Sequence, residues 1–251
     1  MSLLSIESVS HRYRRGRREY VALAGVSLVV EAAELVAVHG TRKSGKSTLL
    51  RIAAGLERPG AGAVRHDGLD LAAHPELVGR QIAYVRTERS SFSALEGELV
   101  VEHVAASLLA QGISPREASR RAEKALGRVG GGECAQMAAA ELDGAERARV
   151  GIARALVGGP KLIVLDDPTE GVGLLDRDPV LALLRAIANT GPAVLMSAGE
   201  AACVSGADRV YALDEGEIRS VAARPEADVV PLRRSRRPAS ADAAVRISEH
   251  R

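Results

Sequence analysis

The chain has 251 residues, enough for one large α/β core with a small appended subdomain, and its formal net charge of +2 is too balanced to indicate nucleic-acid binding by itself. Neither Cys134 nor Cys203 has the spacing of a disulfide framework or a metal site, which suits a reducing compartment. No segment approaches the ~20 apolar residues that cross a bilayer, and the first residues predict no signal peptide.

Apolar runs predict the strands in chain order. Residues 3–9 and 26–31 are the first two, and the basic stretch 12–18 between them is interpreted as a solvated hairpin loop, with a binding role as the alternative. Residues 64–67, followed by Gly68, predict a hairpin. The remaining predicted strands are residues 35–38, 82–85, 162–166, 194–197 and 209–213.

Two further segments differ from this pattern in composition. Residues 88 to about 145 are rich in Ala, Glu and Arg at helical spacing, with breaks at Gly112 and at 130–132, and they predict a helical insertion. From about residue 221, Arg, Pro, Ala and Ser dominate, and residues 221–251 are predicted to form a disordered basic tail. That tail is either a solvated end or an electrostatic contact with anionic lipid.

Residues 35–55 have the order strand, glycine-bounded loop and helix, which is the order that forms a phosphate-binding loop. Lys46 is predicted to reach the β- and γ-phosphates of a nucleotide, and the Ser47 hydroxyl is predicted to ligate Mg²⁺. The alternative is a chance glycine-rich turn. The predicted phosphate-binding residues are Gly40, Thr41, Arg42, Lys43, Ser44, Gly45, Lys46, Ser47 and Thr48.

A second element of the same kind of site follows the continuous apolar strand 162–166, which is typical of a strand covered by helices on both faces. Asp166 leaves the carboxyl edge of the sheet, where the phosphate loop also lies, and is predicted to hold Mg²⁺ directly or through water. Asp167 is predicted to orient the attacking water. The alternative is a plain turn at the end of a strand.

With both elements present, residues 3–220 resemble the nucleotide-binding subunit of ABC transporters. The sequences VALAGVSLVV, ELVAVHG and ARVGIARALVGGPKLIVLDDPT are similar to the subfamily that powers lipoprotein release and macrolide or peptide export, and ADRVYALDEGEI matches the closing strands of that family. The resemblance implies one nucleotide-binding domain at 1–220. Its fold would be a P-loop NTPase core sheet with helices on both faces, an N-terminal antiparallel β subdomain and the helical insertion.

The resemblance also implies ligands and partners. Tyr13 would stack on adenine, and ATP and Mg²⁺ would be the cofactors. The partners would be a transmembrane permease subunit and a second nucleotide-binding subunit, in a homo- or heterodimer, at the cytoplasmic face of the membrane.

Several positions depart from the family pattern. The signature Leu-Ser-Gly-Gly-Gln is replaced by Leu142, Asp143, Gly144, Ala145 and Glu146. In the family, the serine donates to the γ-phosphate across the dimer. A carboxylate there would repel an anion at ~4 Å by about 4 kcal/mol at an effective dielectric constant near 20.

The catalytic positions depart as well. Asp167 stands where the family has the glutamate that acts as base. The loop glutamine of the family aligns with Thr87, and its switch histidine aligns with Gly199. Losing one preorganised donor costs about 3 kcal/mol of transition-state stabilisation. After Thr169 the spacing also changes, so that either Asp176 is the family aspartate after an insertion or Gly173 replaces it.

The sequence therefore predicts an ATP-binding subunit of an exporter-like ABC membrane complex with slow or absent hydrolysis. One alternative is a fully active motor in which Asp167 still works as base. Another is a nucleic-acid ATPase of the same fold that uses the Arg-rich tail; it is disfavoured because zinc cysteines, a long coiled coil and a second nucleotide domain are lacking.

Overall fold

The computed structural model describes residues 2–16, 18–86 and 98–223, so Thr87 and residues 224–251 of the predicted tail lie outside the described residues. The strands are β1 (Leu4–Arg15), β2 (Arg18–Val30), β3 (Leu35–His39), β4 (Ala61–His66), β5 (Leu69–Asp70), β6 (Ile82–Arg86), β7 (Leu162–Asp166), β8 (Ala193–Ala198), β9 (Arg209–Asp214) and β10 (Glu217–Ala223). The α-helices are α1 (Lys46–Ala53), α2 (Val100–Ala110), α3 (Pro115–Arg128), α4 (Gly144–Leu156) and α5 (Leu174–Ala188). Short 3-10 helices cover Pro75–Leu77, Gly132–Gln136, Ala139–Glu141 and Ala201–Val204.

The larger sheet has the strand order β10-β9-β3-β8-β7-β6, and all its strands except the edge strand β10 are parallel. Leu162 and Val164 of β7 belong to the hydrophobic core on the α1 side, whereas Ile163 and Leu165 belong to the core formed with the other helices. Because both faces are covered, residues 162–165 of β7 are apolar, and Asp166 ends the strand. The predicted α/β fold with helices on both faces is confirmed.

The smaller sheet is antiparallel, with the order β2-β1-β4-β5, and it confirms the predicted N-terminal β subdomain and the hairpin after residue 64. The loop predicted at residues 12–18 is wrong in extent, because β1 continues to Arg15 and β2 begins at Arg18. The basic residues alternate along β1, and the exposed Arg12 side chain lies 3.7 Å from Glu19 of the paired strand. This cross-strand charge pairing lets the basic stretch form a ladder.

The predicted helical insertion is confirmed over its described part, where α2 and α3 are separated near Gly112 and α3 ends before Gly130. Both glycines have positive φ values, +80° and +69°, which side chains other than glycine rarely adopt. The longest of the described helices, α5, has 15 residues, and none of them is both long and apolar enough to cross a membrane.

The C-terminal strand differs from the prediction at its end. β10 pairs with β9 as far as Ala223, two residues beyond the predicted start of the tail at 221. The pairing reaches this point across an irregularity in register between Ile218 and Ser220. The remainder of the predicted tail lies in 224–251, outside the described residues.

A buried arginine–histidine contact joins α2 to α4. His103 is 7% exposed, and its Nε2 lies 2.9 Å from Nη1 of Arg154, which is the donor when the imidazole is neutral. Its Nδ1 lies 3.8 Å from Oε2 of Glu98. Burial, and then the positive charge of Arg154, lower the pKa of His103 to about 4. The folded protein therefore holds this imidazole neutral.

We expect the free energy of unfolding to fall as the pH is lowered from about 6.5 to about 4. The pKa of His103 in the folded chain is about 4, below its unfolded value of 6.5, so the unfolded state binds more protons in this window. The His103 contribution is complete above pH 6.5, and its loss reaches about 3 kcal/mol near pH 4. Urea unfolding at a series of pH values measures it. His103→Gln keeps an acceptor for Arg154 and should flatten the profile; an unchanged slope would contradict the assignment.

Candidate functional site

The loop between β3 and α1, residues 40–48, passes close to other backbone segments. A Cβ atom on Gly40 would lie 2.2 Å from the carbonyl oxygen of Leu213, and one on Gly45 would lie 2.4 Å from that of Ala22. Gly45 also has φ of +106° at the start of α1. Both glycines are therefore required by space, and Gly45 is required by its conformation as well. The loop opens at the N-terminus of α1, where backbone N–H groups and the helix dipole favour an anion.

Lys46 is held across this loop. Its Nζ donates to the carbonyl oxygens of Gly40 at 2.7 Å and Thr41 at 2.9 Å, and the residue is only 7% exposed. The ammonium group is thus fixed over the loop by neutral acceptors, without a carboxylate partner among these contacts. A fixed positive charge beside a helix N-terminus is suited to a phosphate group.

Ser47 and Asp166 lie together at the carboxyl edge of the parallel sheet. The Ser47 hydroxyl donates to Oδ1 of Asp166 at 3.1 Å, and Ser197 donates to the same oxygen at 2.8 Å. Asp166 is 2% exposed. A hydroxyl and a carboxylate are hard oxygen ligands of the kind that Mg²⁺ takes together with phosphate oxygens. The donor set of Ser47 and Asp166 therefore fits this ion.

Asp167 follows in a left-handed backbone conformation, with φ of +49°, which aspartate tolerates better than most residues. Its backbone N–H donates to Oγ of Ser197 at 2.8 Å. Burial raises the pKa of Asp167, and the neighbouring charge of Asp166 adds to the shift. A carboxylate with a raised pKa beside the phosphate loop is chemically able to accept a proton.

Tyr13 borders a pocket of about 310 Å³ together with Tyr20 and the residues of the loop and of α1 from Lys43 to Thr48. The Tyr13 hydroxyl donates to Oε2 of Glu57 at 2.8 Å and accepts from Nη2 of Arg51 at 2.7 Å. The ring is therefore anchored through its hydroxyl to the end of α1 and the turn after it. The structure brings Tyr13 to the predicted phosphate loop.

The substituted signature segment forms the start of α4. The Oδ1 atom of Asp143 accepts from the backbone N–H of Glu146 at 2.8 Å, and Oε2 of Glu146 accepts from the backbone N–H of Asp143 at 2.8 Å. This reciprocal pair is a capping box. A Cβ atom on Gly144 would lie 2.0 Å from the carbonyl oxygen of Gly171. Among residues 2–16, 18–86 and 98–223, no hydrogen bond or ion pair joins 142–146 to the phosphate loop.

We expect Asp143→Ala to lower the free energy of unfolding by about 1 kcal/mol, because it removes an N-cap acceptor. Asp143→Ser is the matched control, since serine caps equally well without the charge. Urea denaturation of the three proteins measures the difference. A serine variant as unstable as the alanine variant would show that the carboxylate acts through its charge and not through the cap.

Gly199, another substituted position, lies beside the site. Gly199 follows β8 and borders a pocket of about 290 Å³ with Arg42, Asp167 and Thr169. In the described part of the chain, a Cβ atom on Gly199 would have no neighbour within 4 Å beyond the adjacent residues. A side chain would therefore fit at position 199, but glycine does not supply one. Thr87 lies outside the described residues.

The ambiguous segment after Thr169 becomes the start of α5. Gly173 is the residue directly before the helix, and the backbone N–H of Asp176, in the first turn, donates to its carbonyl oxygen at 3.0 Å. Val172 is buried, with 4% exposure. Gly173 therefore occupies the capping position of α5, and Asp176 lies within the helix.

Sequence reasoning missed Ser197 and two further side chains beside Asp166. The Tyr84 hydroxyl donates to Oδ2 of Asp166 at 3.2 Å, and Nε of Arg86 lies 3.8 Å from the same oxygen. Both belong to β6, which is parallel to β7 with Arg86 opposite Asp166. Because parallel strands end at the same edge of a sheet, the end of β6 could be expected at this edge. That β6 is the neighbour of β7, with Arg86 opposite Asp166, follows from the strand order, which the sequence alone does not give.

Known proteins are similar to this chain in sequence and in architecture. The ABC transporter family model matches residues 23–170, more than half of the chain. The lipoprotein-releasing system ATP-binding protein LolD of Chromohalobacter salexigens is 36% identical over 225 residues, which cover 86% of this chain and 92% of that protein. The macrolide export ATP-binding/permease protein MacB of an Azoarcus species is 30% identical over 221 residues, which cover 86% of this chain and 33% of that protein.

A solved structure gives the same fold. A dimeric ATP-binding cassette in a post-hydrolysis state, bound to ADP and Pi, superposes with a TM-score of 0.78 at 24% identity and covers 88% of this chain and 99% of that one. At that identity the superposition supports the fold alone. The family model and the match to LolD over nearly its whole length carry the assignment, and they show that this chain belongs to the ABC transporter family.

Proposed function

We propose that the chain is the ATP-binding subunit of an exporter-like ABC membrane complex in which its own hydrolysis of ATP is weak or absent. The observation that carries the proposal is the contrast within one site. Lys46 is fixed over the loop by Gly40 and Thr41, and Ser47 lies beside Asp166, so the groups for binding are in place. The side chains for hydrolysis differ from those of the family: Asp167 is shorter than the family glutamate, and Gly199 has no side chain in place of the family histidine.

Each residue then has a defined task in binding. The backbone of residues 40–45 and the N-terminus of α1 would receive the phosphates, Lys46 would neutralise them, and the Tyr13 ring would stack on adenine. Mg²⁺, held by Ser47 and Asp166, would supply charge neutralisation of the phosphate oxygens. The LolD and MacB relatives are named as ATP-binding proteins of export or release systems, which supports this assignment.

The proposed partners follow from the same relatives. A transmembrane permease subunit would provide the membrane-spanning part, and this chain would bind peripherally at its cytoplasmic face. A second nucleotide-binding subunit would complete the dimer. If that subunit is a different and more competent one, the weakened hydrolysis of this chain is compatible with transport.

A fully active motor is the second candidate, and the raised pKa of Asp167 favours it, since a general base needs a pKa near the working pH. Phosphate release by the full chain at saturating ATP separates the two. Under our proposal the rate is near background and Asp167→Asn does not change it. Substantial turnover that Asp167→Asn abolishes would establish the motor.

A further inference from the structure

The carboxylate of Asp166 is surrounded by hydroxyl donors and a guanidinium group. Oδ1 accepts from the hydroxyls of Ser47 and Ser197, and Oδ2 accepts from Tyr84 and lies 3.8 Å from Nε of Arg86. An ionised carboxylate offers about four acceptor sites. Three hydroxyl donors therefore occupy most of this capacity, and the permanent positive charge of Arg86 lies beside it as an ion pair.

Arg86 lies beside this buried carboxylate and is itself exposed. It is the last residue of β6 and lies opposite Asp166 in the parallel register, at the edge where β3 leads into the phosphate loop. The side chain of Asp166 is 1% exposed, whereas that of Arg86 is 46% exposed. Asp166 in turn accepts from Ser47 at the start of α1, so the guanidinium group lies near the phosphate loop.

Tyr84 supports this placement. Residues two apart on a strand share a face, so Tyr84 and Arg86 approach Asp166 from the same side of β6. Burial, and then the charge of Asp166, raise the pKa of Tyr84, so its hydroxyl stays protonated as a donor. The tyrosine therefore fixes one side of Oδ2, and the more exposed guanidinium group lies beside the same oxygen.

We propose that Arg86 is a phosphate-binding residue that takes over part of the charge neutralisation supplied by Mg²⁺, so that this chain binds ATP with only a weak dependence on the metal. The inference rests on the proposed nucleotide site. A guanidinium group has five donors and can contact Asp166 and a phosphate oxygen at the same time. Mg²⁺ that approaches Asp166 must share the carboxylate with these hydroxyl donors and come close to the positive charge of Arg86. Arg86 also directly precedes Thr87, where the sequence lacks the family glutamine.

The test compares ATP affinity of the full chain by calorimetry with excess Mg²⁺ and with EDTA. We expect the wild-type affinity to change by less than about 10-fold between the two conditions. Arg86→Gln should lose an additional 10-fold or more in EDTA, about the value of one charged hydrogen bond. Arg86→Lys, which keeps the charge, should recover part of this loss. Arg121→Gln, at an exposed salt bridge on α3, is the matched control.

The outcomes are distinguishable. If wild-type and Arg86→Gln proteins lose ATP affinity equally in EDTA, the inference is overturned while the nucleotide site stands. If wild-type protein does not bind ATP even with Mg²⁺, the proposed function fails and the inference fails with it. The wild-type ratio needs no variant to fold, and a loss of 100-fold or more in EDTA would by itself overturn the proposal.

Discussion

Replacing Lys46 by alanine should weaken ATP binding by at least about 100-fold, the effect expected when two charged hydrogen bonds to phosphate are lost. The Lys46 ammonium is fixed over the loop by the carbonyl oxygens of Gly40 and Thr41, so it is already positioned before nucleotide arrives. Calorimetry of the two proteins with the same ATP stock measures the difference.

The matched control is Lys161→Ala, which removes the same side chain from an exposed salt bridge to Asp67, away from the loop. Exposed pairs contribute about 0–1 kcal/mol to stability, so this variant should fold and bind ATP as the wild type does. A Lys46→Ala protein that binds ATP with wild-type affinity would remove the phosphate loop from the proposed site.

Restoring the family residues should raise ATP turnover by at least about 100-fold, because a base misplaced by 1 Å and a missing donor each cost that much. The restored protein combines Thr87→Gln, Asp167→Glu and Gly199→His. The space around Gly199 accommodates a side chain within the described structure. At position 167, the positive φ of +49° disfavours glutamate slightly more than aspartate, so folding must be checked beside the rate.

Steady-state phosphate release measures this gain. Adding Glu→Gln at position 167 of the restored protein is the control, and it should return the rate to background. If the unmodified chain already hydrolyses ATP as fast as the restored protein, then the substitutions at 87, 167 and 199 are not what limits catalysis. The weakened-hydrolysis proposal would then be wrong.

The central sheet could be predicted because its strands are short apolar runs with sharp ends. The strand at 162–166 matches its prediction at both ends, since Lys161 precedes the apolar residues 162–165 and the acidic pair Asp166 and Asp167 ends the run. The β1–β2 ladder could not be predicted in full, because its outer part alternates arginine with tyrosine. There the strand is stabilised by its partner strand and not by apolar burial. Helix α5 has Pro179 in its interior and two exposed leucines, Leu174 and Leu175, in its first turn, which obscures its start.

In the site, residues 40–48 and Asp166 could be predicted because each belongs to a local pattern with a physical purpose. Tyr84, Arg86 and Ser197 could not be found in that way, since they reach Asp166 from different strands. Their placement follows from strand order and register, which a single sequence does not specify.

The signature segment shows a different limit. Sequence comparison presented Asp143 as a carboxylate in place of a phosphate donor, whereas the structure gives it a local role as the N-cap of α4. Its spacing of three residues from Glu146 is itself a capping signal. Local helix chemistry therefore accounts for this acidic pair without any reference to a ligand.

The central claim is that the site still holds ATP but has lost the groups that hydrolyse it. The most direct test is to incubate the purified full chain with ATP and Mg²⁺, remove free nucleotide, and identify the nucleotide that remains bound by chromatography. We predict that bound nucleotide is recovered as ATP after prolonged incubation. Recovery of ADP with accumulation of free phosphate, or of no nucleotide at all, would contradict the account.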